Sequence, residues 1–303
     1  MQQLPEEIQR KLKEREVLRK EKRFRESDAA RGQIEKLGYQ IKDTLKGTEI
    51  SKTEEYAIPK KSSLILFGSG EIASSSVAAH DWALTGIGKD KPKIVVLSTP
   101  AGFQPNVHVV CEEIADFFEH HLQNFHPRVE VVYANTLQDA NTTEILKPLD
   151  TADYIFAGPG SPTYAVRSLR SSLALIKIRE RVRAGASLGL SSAAAIAFSK
   201  FALPVYEIYK AGFELYWGQG LNFYAKIFQE LTVIPHFNNN EGGNKNDTSH
   251  AWMGKQRFAK LLAMLPKHET VWGIDEHTAV IIDPKTHATK IVGKGKCWEY
   301  TTR

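Results

Sequence analysis

Only two cysteines occur in 303 residues, Cys111 and Cys297, far apart and without metal-like spacing. That scarcity excludes a disulfide-stapled domain, which needs an even and closely spaced cysteine framework, and a zinc ribbon, which needs close cysteine pairs. Long apolar runs are also lacking, and none approaches the ~18 residues of a membrane-spanning helix. The opening stretch "MQQLPEEIQRKLKEREVLRKEKRF" carries too much charge for a signal peptide. Low-complexity tracts and internal repeats are missing as well. The expectation is a cytoplasmic chain with no membrane association, no cofactor and no bound metal. What is present is ordinary globular composition, 42% hydrophobic and 25% charged, in a chain long enough for one large domain or two unequal ones.

Charge is spread unevenly. Residues 1–61 hold sixteen Lys and Arg against twelve Asp and Glu, whereas the rest of the chain holds twenty-four against twenty-three. Most of the net +5 therefore lies in the first fifth of the protein, a mild basic bias that raises nucleic acid as a partner. That part reads as helical over residues 4–37, with one stripe at Leu4, Ile8 and Leu12 and a second at Ala30, Ile34 and Leu37. Gly38 stands where a helix C-cap belongs, and "YQIKDTLKGTEI" reads as a short hairpin turning at Lys46-Gly47. The polar, proline-bearing "SKTEEYAIPKK" has no periodicity and reads as linker. These features predict a small helical module over residues 1–50, a linker over 51–62 and a second domain over 63–303.

In the second domain "SLILFGSG", "KIVVLST", "VEVVYA", "DYIFAGPG", "ASLGLS" and "LTVIPH" are short apolar runs ending in Gly, Pro, Ser or His. Helical stretches at 106–121, 162–183 and 192–200 separate several of them. Near-continuous Val, Ile and Leu runs suit strands buried on both faces, so the predicted fold class is α/β with a mostly parallel sheet flanked by helices. The segment "TVWGIDEHTAVIIDPKTHATKIVG" reads as strands in hairpin succession. In such sheets, ligand sites lie beyond the carboxyl ends of the strands.

Four polar clusters occupy such ends. "GLSSAAA" places Ser191 and Ser192 where a strand turns into a helix, a pattern that suits either a capping serine or an activated nucleophile. The elbow frame Gly189-Leu190-Ser191 favours Ser191 as the nucleophile. "FAGPGSPTYAVRSLR" brings Gly158, Gly160 and Ser161, whose backbone amides could receive an oxyanion, although Pro159 has no N–H to give. "LTVIPHFNNNEGG" sets His236 at a strand end beside Asn238, Asn239 and Glu241. A core histidine fits that stretch as well, and a metal site from His236, Glu241 and His250 lacks tight ligand spacing. "GIDEHTAVIID" places Asp275, Glu276 and His277 at a later strand end, where a solvated acidic turn is the plain alternative.

In this order the four clusters resemble the dipeptidase E and cyanophycinase family of serine peptidases, which has a class I glutamine-amidotransferase-like fold. The family's G-G-G-N loop is matched by Gly158-Pro159-Gly160-Ser161, and its S-A-G-A elbow by Ser191-Ser192-Ala193-Ala194. Its histidine strand end falls on Pro235-His236, and its late acidic turn on Gly273-Ile274-Asp275-Glu276. The resemblance covers roughly residues 63–295. It implies Ser191 as nucleophile, His236 as its base, the Ser192 N–H as an oxyanion donor, and Glu276 or Glu207 as the acid. Asn238, Asn239 and Glu241 are then candidates for substrate binding. The implied reaction is hydrolysis of a peptide or small amide through an acyl-enzyme. Two departures, Pro159 in the loop and Ala193 in place of the elbow glycine, keep open the alternative of a catalytically weak hydrolase-fold protein that docks RNA or a translation partner. A glutaminase is disfavoured because neither cysteine lies at the elbow.

The front segment is similar to the C-terminal end of cysteinyl-tRNA synthetases, with Leu37-Gly38, Asp43-Thr44 and Gly47-Thr48 as the matching pairs. In those enzymes this part contacts tRNA, so the resemblance implies tRNA as a partner through residues 1–50. The synthetase's ATP-site motifs are absent, so aminoacylation is not implied, and a basic helical hairpin that packs on the catalytic domain or on another subunit of an oligomer is the plain alternative.

Overall fold

The computed structural model describes residues 6–21, 23, 26–27, 30–31, 33–34, 39–44, 47–52 and 62–303. The chain divides into two compact units, Met1–Ile58 and Pro59–Arg303.

The first unit has helix α1 (Glu6–Lys20), helical residues at 26–27, 30–31 and 33–34, and an antiparallel ribbon of β1 (Tyr39–Thr44) with β2 (Gly47–Lys52). Among its described residues Ile8, Leu18, Ala30 and Ile34 are buried apolar side chains, so each expected stripe holds buried members, while Leu12 is half-buried. Leu4, Leu37, the Gly38 cap and Lys46 lie outside the described residues. Residues 51 and 52, expected as linker, complete β2 instead. Residues 53–61 of that stretch are outside the described residues.

The second unit begins with alternating strands and helices: β3 (Leu64–Phe67), α2 (Val77–Ile87), β4 (Lys93–Leu97), α3 (Val107–His121) and β5 (Arg128–Val132). A single turn, α4 (Thr143–Leu146), leads to β6 (Tyr154–Ala157), α5 (Pro162–Leu169), α6 (Leu173–Arg183) and β7 (Ser187–Ser191). After α7 (Ala193–Ala197) the chain makes the short β8 (Phe201–Ala202), α8 (Val205–Tyr209) and β9 (Gly218–Gln219). It ends with β10 (Thr232–Ile234), α9 (Gly254–Met264), β11 (Thr270–Ile274), β12 (Thr278–Ile282), β13 (Thr289–Gly293) and β14 (Cys297–Thr301).

A seven-stranded sheet of order β13-β12-β3-β7-β6-β4-β5 forms the centre. Its five strands from β3 to β5 are mutually parallel, and β12 and β13 join antiparallel, giving a mixed α/β sheet. Strand alternation sorts the side chains into two layers. Leu64, Leu66, Leu188 and Leu190 face one core with α5, α6 and α7, while Ile65, Phe67, Ile94 and Phe156 face the other with α2 and α3.

Three features differ from the pattern reading. The expected helix over 162–183 is two helices, because Ser171 adopts φ 58° and Ser172 caps a new start by accepting from the Leu175 N–H. Helix α2 falls outside the expected helical stretches; its buried face is Ala79, His80, Ala83, Leu84 and Ile87, a helical stripe that alanines and a histidine make weakly apolar at its start. Strand β11 does not pair with β12. It joins β10 and β14 in a separate three-stranded sheet. A backbone bond stitches that sheet to the main one: the His236 N–H, after β10, donates to Gly68 O, after β3. The carboxyl ends of β7, β10 and β11 thereby meet at one place.

Candidate active site

Strand β7 pairs with β3 through its last residue, Ser191 opposite Phe67. Ser191 is therefore still part of the strand, its side chain aimed into the α2/α3 layer and fully buried. Its hydroxyl donates to Glu71 Oε2 at 2.8 Å. The elbow is the next residue. Ser192 adopts φ 49° and ψ −116°, a conformation that costs a non-glycine residue about 1–3 kcal/mol and clusters at functional sites. The Ser192 hydroxyl lies 2.9 Å from His236 Nε2. The glycine frame pointed to Ser191, but β7 runs one residue further and alternation turns Ser191 inward, so the hydroxyl that faces His236 is that of Ser192.

His236 follows β10, and its Nδ1 lies 2.9 Å from Glu276 Oε1, on the turn after β11. The hydrogen bond from His236 holds the Glu276 carboxyl below the usual carboxylate range, against the opposing effect of partial burial. A carboxylate only accepts, so the partners assign the proton of neutral His236 to Nδ1, leaving Nε2 to accept from the Ser192 hydroxyl. Buried Asn239 donates to the same Glu276 oxygen at 2.9 Å, and Asn238 Oδ1 accepts the Glu276 N–H at 2.7 Å. Both asparagines, expected at the substrate, stand behind the acid and fix it. Glu207 is not part of this chain of contacts: it lies on α8, and its Oε2 is buried without a hydrogen-bond partner. The imidazole of His236 packs against the Trp252 ring, centroids 4.7 Å apart.

Two of the expected oxyanion donors are already committed. The Ser161 N–H bonds Pro100 O and its hydroxyl caps α5, while the Ser192 N–H points to Phe67 O at 3.4 Å. Gly158 is buried behind the loop, its carbonyl accepting the Ala194 N–H. The amides of Ala193 and Gly160 are left without hydrogen-bond partners, and both residues line the cavity that Ser192 opens into. Gly160 has φ 145°, and a Cβ there would sit 1.9 Å from Pro100 O, so only glycine fits the loop.

That cavity holds about 350 Å³. Ile196, Val205 and Ala251 give it apolar walls, Tyr206, Tyr209 and Trp252 aromatic ones, and Lys210 and Glu241 bring one charge of each sign. Glu241, expected here, is held by Trp252 Nε1–H at 3.0 Å. Trp252 was not singled out in the sequence. Among the described residues no cluster of three or more His, Cys, Asp or Glu is arranged to hold a metal. Both nitrogens of His236 are engaged, and His250 Nδ1 contacts the Ser249 hydroxyl, so the His236–Glu241–His250 alternative is not assembled. No helix among the described residues is long and apolar enough to cross a membrane.

Comparison with known proteins separates along the same two units. Residues 1–50 match the family described as the cysteinyl-tRNA ligase anticodon binding domain. Curated relatives over that part are cysteine–tRNA ligases, 40% identical over 50 residues in Chlamydia abortus and 44% over 54 residues in Methanosarcina mazei. The match takes in 16–18% of this chain and about a tenth of those enzymes' length. Among solved structures, a peptidase from an acI-B1 actinobacterium superposes with a TM-score of 0.63 at 23% identity, over 80% of this chain and 95% of that one. A protein assigned as a peptidase E from Listeria monocytogenes EGD-e gives 0.52 at 18%, over 76% and 98%. The chain thus joins an N-terminal segment similar to the anticodon-binding domain of cysteinyl-tRNA ligases to a unit with the fold of peptidase E-like proteins.

Proposed function

We propose that the second unit is a serine-type peptidase or amide hydrolase in which Ser192 is the nucleophile, His236 its base and Glu276 the orienting acid. The observation that carries this reading is the unbroken Ser192–His236–Glu276 hydrogen-bond chain, 2.9 Å at each step, with Ser192 on a strained elbow beside an open cavity. In the proposed reaction the Ser192 oxygen attacks the scissile carbonyl carbon as its proton passes to His236 Nε2. The carbonyl oxygen becomes an oxyanion facing the Ala193 and Gly160 amides. Collapse breaks the C–N bond, and the imidazolium returns its proton to the leaving amine. Water, deprotonated by the same imidazole, then cleaves the ester of the acyl-enzyme. The likeness to peptidase folds supports a peptide as the substrate class. Incubating the full chain with short peptides should release new α-amino groups, and Ser192→Ala should abolish that release.

For the first unit we infer contact with tRNA, on the strength of its match to an anticodon-binding domain and the basic balance of residues 1–61. One observation favours a second reading for the whole chain, a weakly turning-over hydrolase fold that docks RNA. Pro159 offers no N–H at the loop, so Gly160 stands as its one free donor. The peptide assay decides between the two.

A further inference from the structure

We propose that Glu71 is a positioning residue for the proposed serine chemistry, bracing the elbow through Ser191; this rests on the reading of Ser192 as nucleophile. Glu71 lies in the turn after β3 and is nearly buried. Its Oε2 accepts from the Ser191 hydroxyl at 2.8 Å, in the residue before the elbow. On the other side of the elbow, the Ala194 N–H donates to Gly158 O of the glycine loop, so the residues flanking Ser192 and Ala193 are tied from both sides.

The backbone of Glu71 is fixed as firmly as its side chain. Its carbonyl accepts from the Ser76 hydroxyl at 2.7 Å and faces His80 Nε2 at 2.9 Å. His80 is fully buried among Phe67, Phe117, Phe118 and Phe156, and burial pushes its imidazole down to about 4, so it is neutral. A carbonyl can only accept, which assigns the single N–H to Nε2 and makes Nδ1 the acceptor for Tyr154 Oη at 2.9 Å. The anchor therefore has one tautomer and one orientation.

A packing role alone accounts poorly for this arrangement. Ser191 and Glu71 are 0% and 8% exposed, and no Lys or Arg forms an ion pair with Glu71 among the described residues. An apolar pair of similar volume would avoid the desolvation that a buried carboxylate entails. Departures from that economy concentrate where geometry serves chemistry. Here the geometry is the placement of Ser192 and the Ala193 amide, which directly follow the Ser191 that Glu71 holds.

The test uses the full chain and a fluorophosphonate probe, separating the maximal labelling rate from the half-saturating probe concentration. Ser191→Ala is expected to slow the maximal rate about tenfold with the half-saturating concentration unchanged. Glu71→Gln keeps an oxygen acceptor for Ser191 and should stay within about threefold of the wild type. Glu71→Ala should match Ser191→Ala, and the double variant should be no slower than either alone, since both remove one contact. If Glu71→Ala fails to fold, the Ser191→Ala and Glu71→Gln pair carries the test. A wild-type rate in Ser191→Ala, or a Glu71→Gln chain as slow as Ser191→Ala, overturns the proposal. Ser192→Ala run in parallel keeps the two ideas apart, because undiminished labelling there defeats the nucleophile assignment and not the brace.

Discussion

Replacing Glu276 by glutamine separates the two things its carboxylate does. Both of its side-chain hydrogen bonds, from His236 Nδ1 and Asn239 Nδ2, fall on Oε1 at 2.9 Å. A glutamine that places its carbonyl oxygen there keeps both bonds and the His236 tautomer, and loses only the negative charge that faces the imidazolium formed during attack. Unit charges ~4 Å apart interact by about 4 kcal/mol at an effective dielectric of ~20. Side-chain exposures of 15% for His236 and 27% for Glu276 admit water to the pair, so about half of that is the lower bound. At about 1.4 kcal/mol per factor of ten, Glu276→Gln should slow fluorophosphonate labelling by roughly 30- to 1,000-fold. Glu276→Ala removes the acceptor as well and leaves the ring unoriented, and removal of a triad acid costs about 3 × 10⁴ in rate. Glu207→Gln should label at the wild-type rate. Equal rates for Gln and Ala at 276 would refute the division between charge and orientation, and a wild-type rate for both would remove Glu276 from the mechanism.

Four further outcomes follow. Because His80 is buried neutral near 4 and titrates near 6.5 when unfolded, the unfolded chain binds the extra proton between those values; stability is full above ~6.5 and falls by roughly 3 kcal/mol by pH 4, a slope in urea midpoints that His80→Asn should flatten. The depressed Glu276 carboxyl acts lower, its contribution being present above the ordinary carboxylate range and lost as pH falls through its folded value. Gly160→Ala puts a methyl 1.9 Å from Pro100 O and should displace the loop, slowing labelling about 10²–10³-fold with circular dichroism unchanged. If the first unit contacts tRNA phosphates, filter-binding affinity should fall steeply between low and moderate salt and vanish on deletion of residues 1–58; binding that ignores salt contradicts that contact.

The parallel core was legible because "KIVVL" and "YIFA" are too apolar for half-exposed strands. The stretches bearing His236 and Glu276 stood out as polar strand ends, and the structure brings the two side chains to 2.9 Å. Which of Ser191 and Ser192 faces His236 could not be read from the sequence. It turns on how far β7 stays paired with β3, a tertiary fact, and two adjacent serines carry no parity signal of their own. Asn238 and Asn239 were recognised as site residues but their direction was not, since it depends on β11 pairing beside β10 instead of with β12. Glu71 could not be found from sequence: it is 120 positions from Ser191, and "GSGEI" reads as an ordinary polar turn.

The measurement that bears most directly on the central claim is the identity of the serine that reacts. The full chain labelled with a fluorophosphonate, digested and sequenced by tandem mass spectrometry should carry the adduct on Ser192, with Ser192→Ala unlabelled and Ser191→Ala labelled more slowly. An adduct on Ser191, or undiminished labelling of Ser192→Ala, would contradict the account.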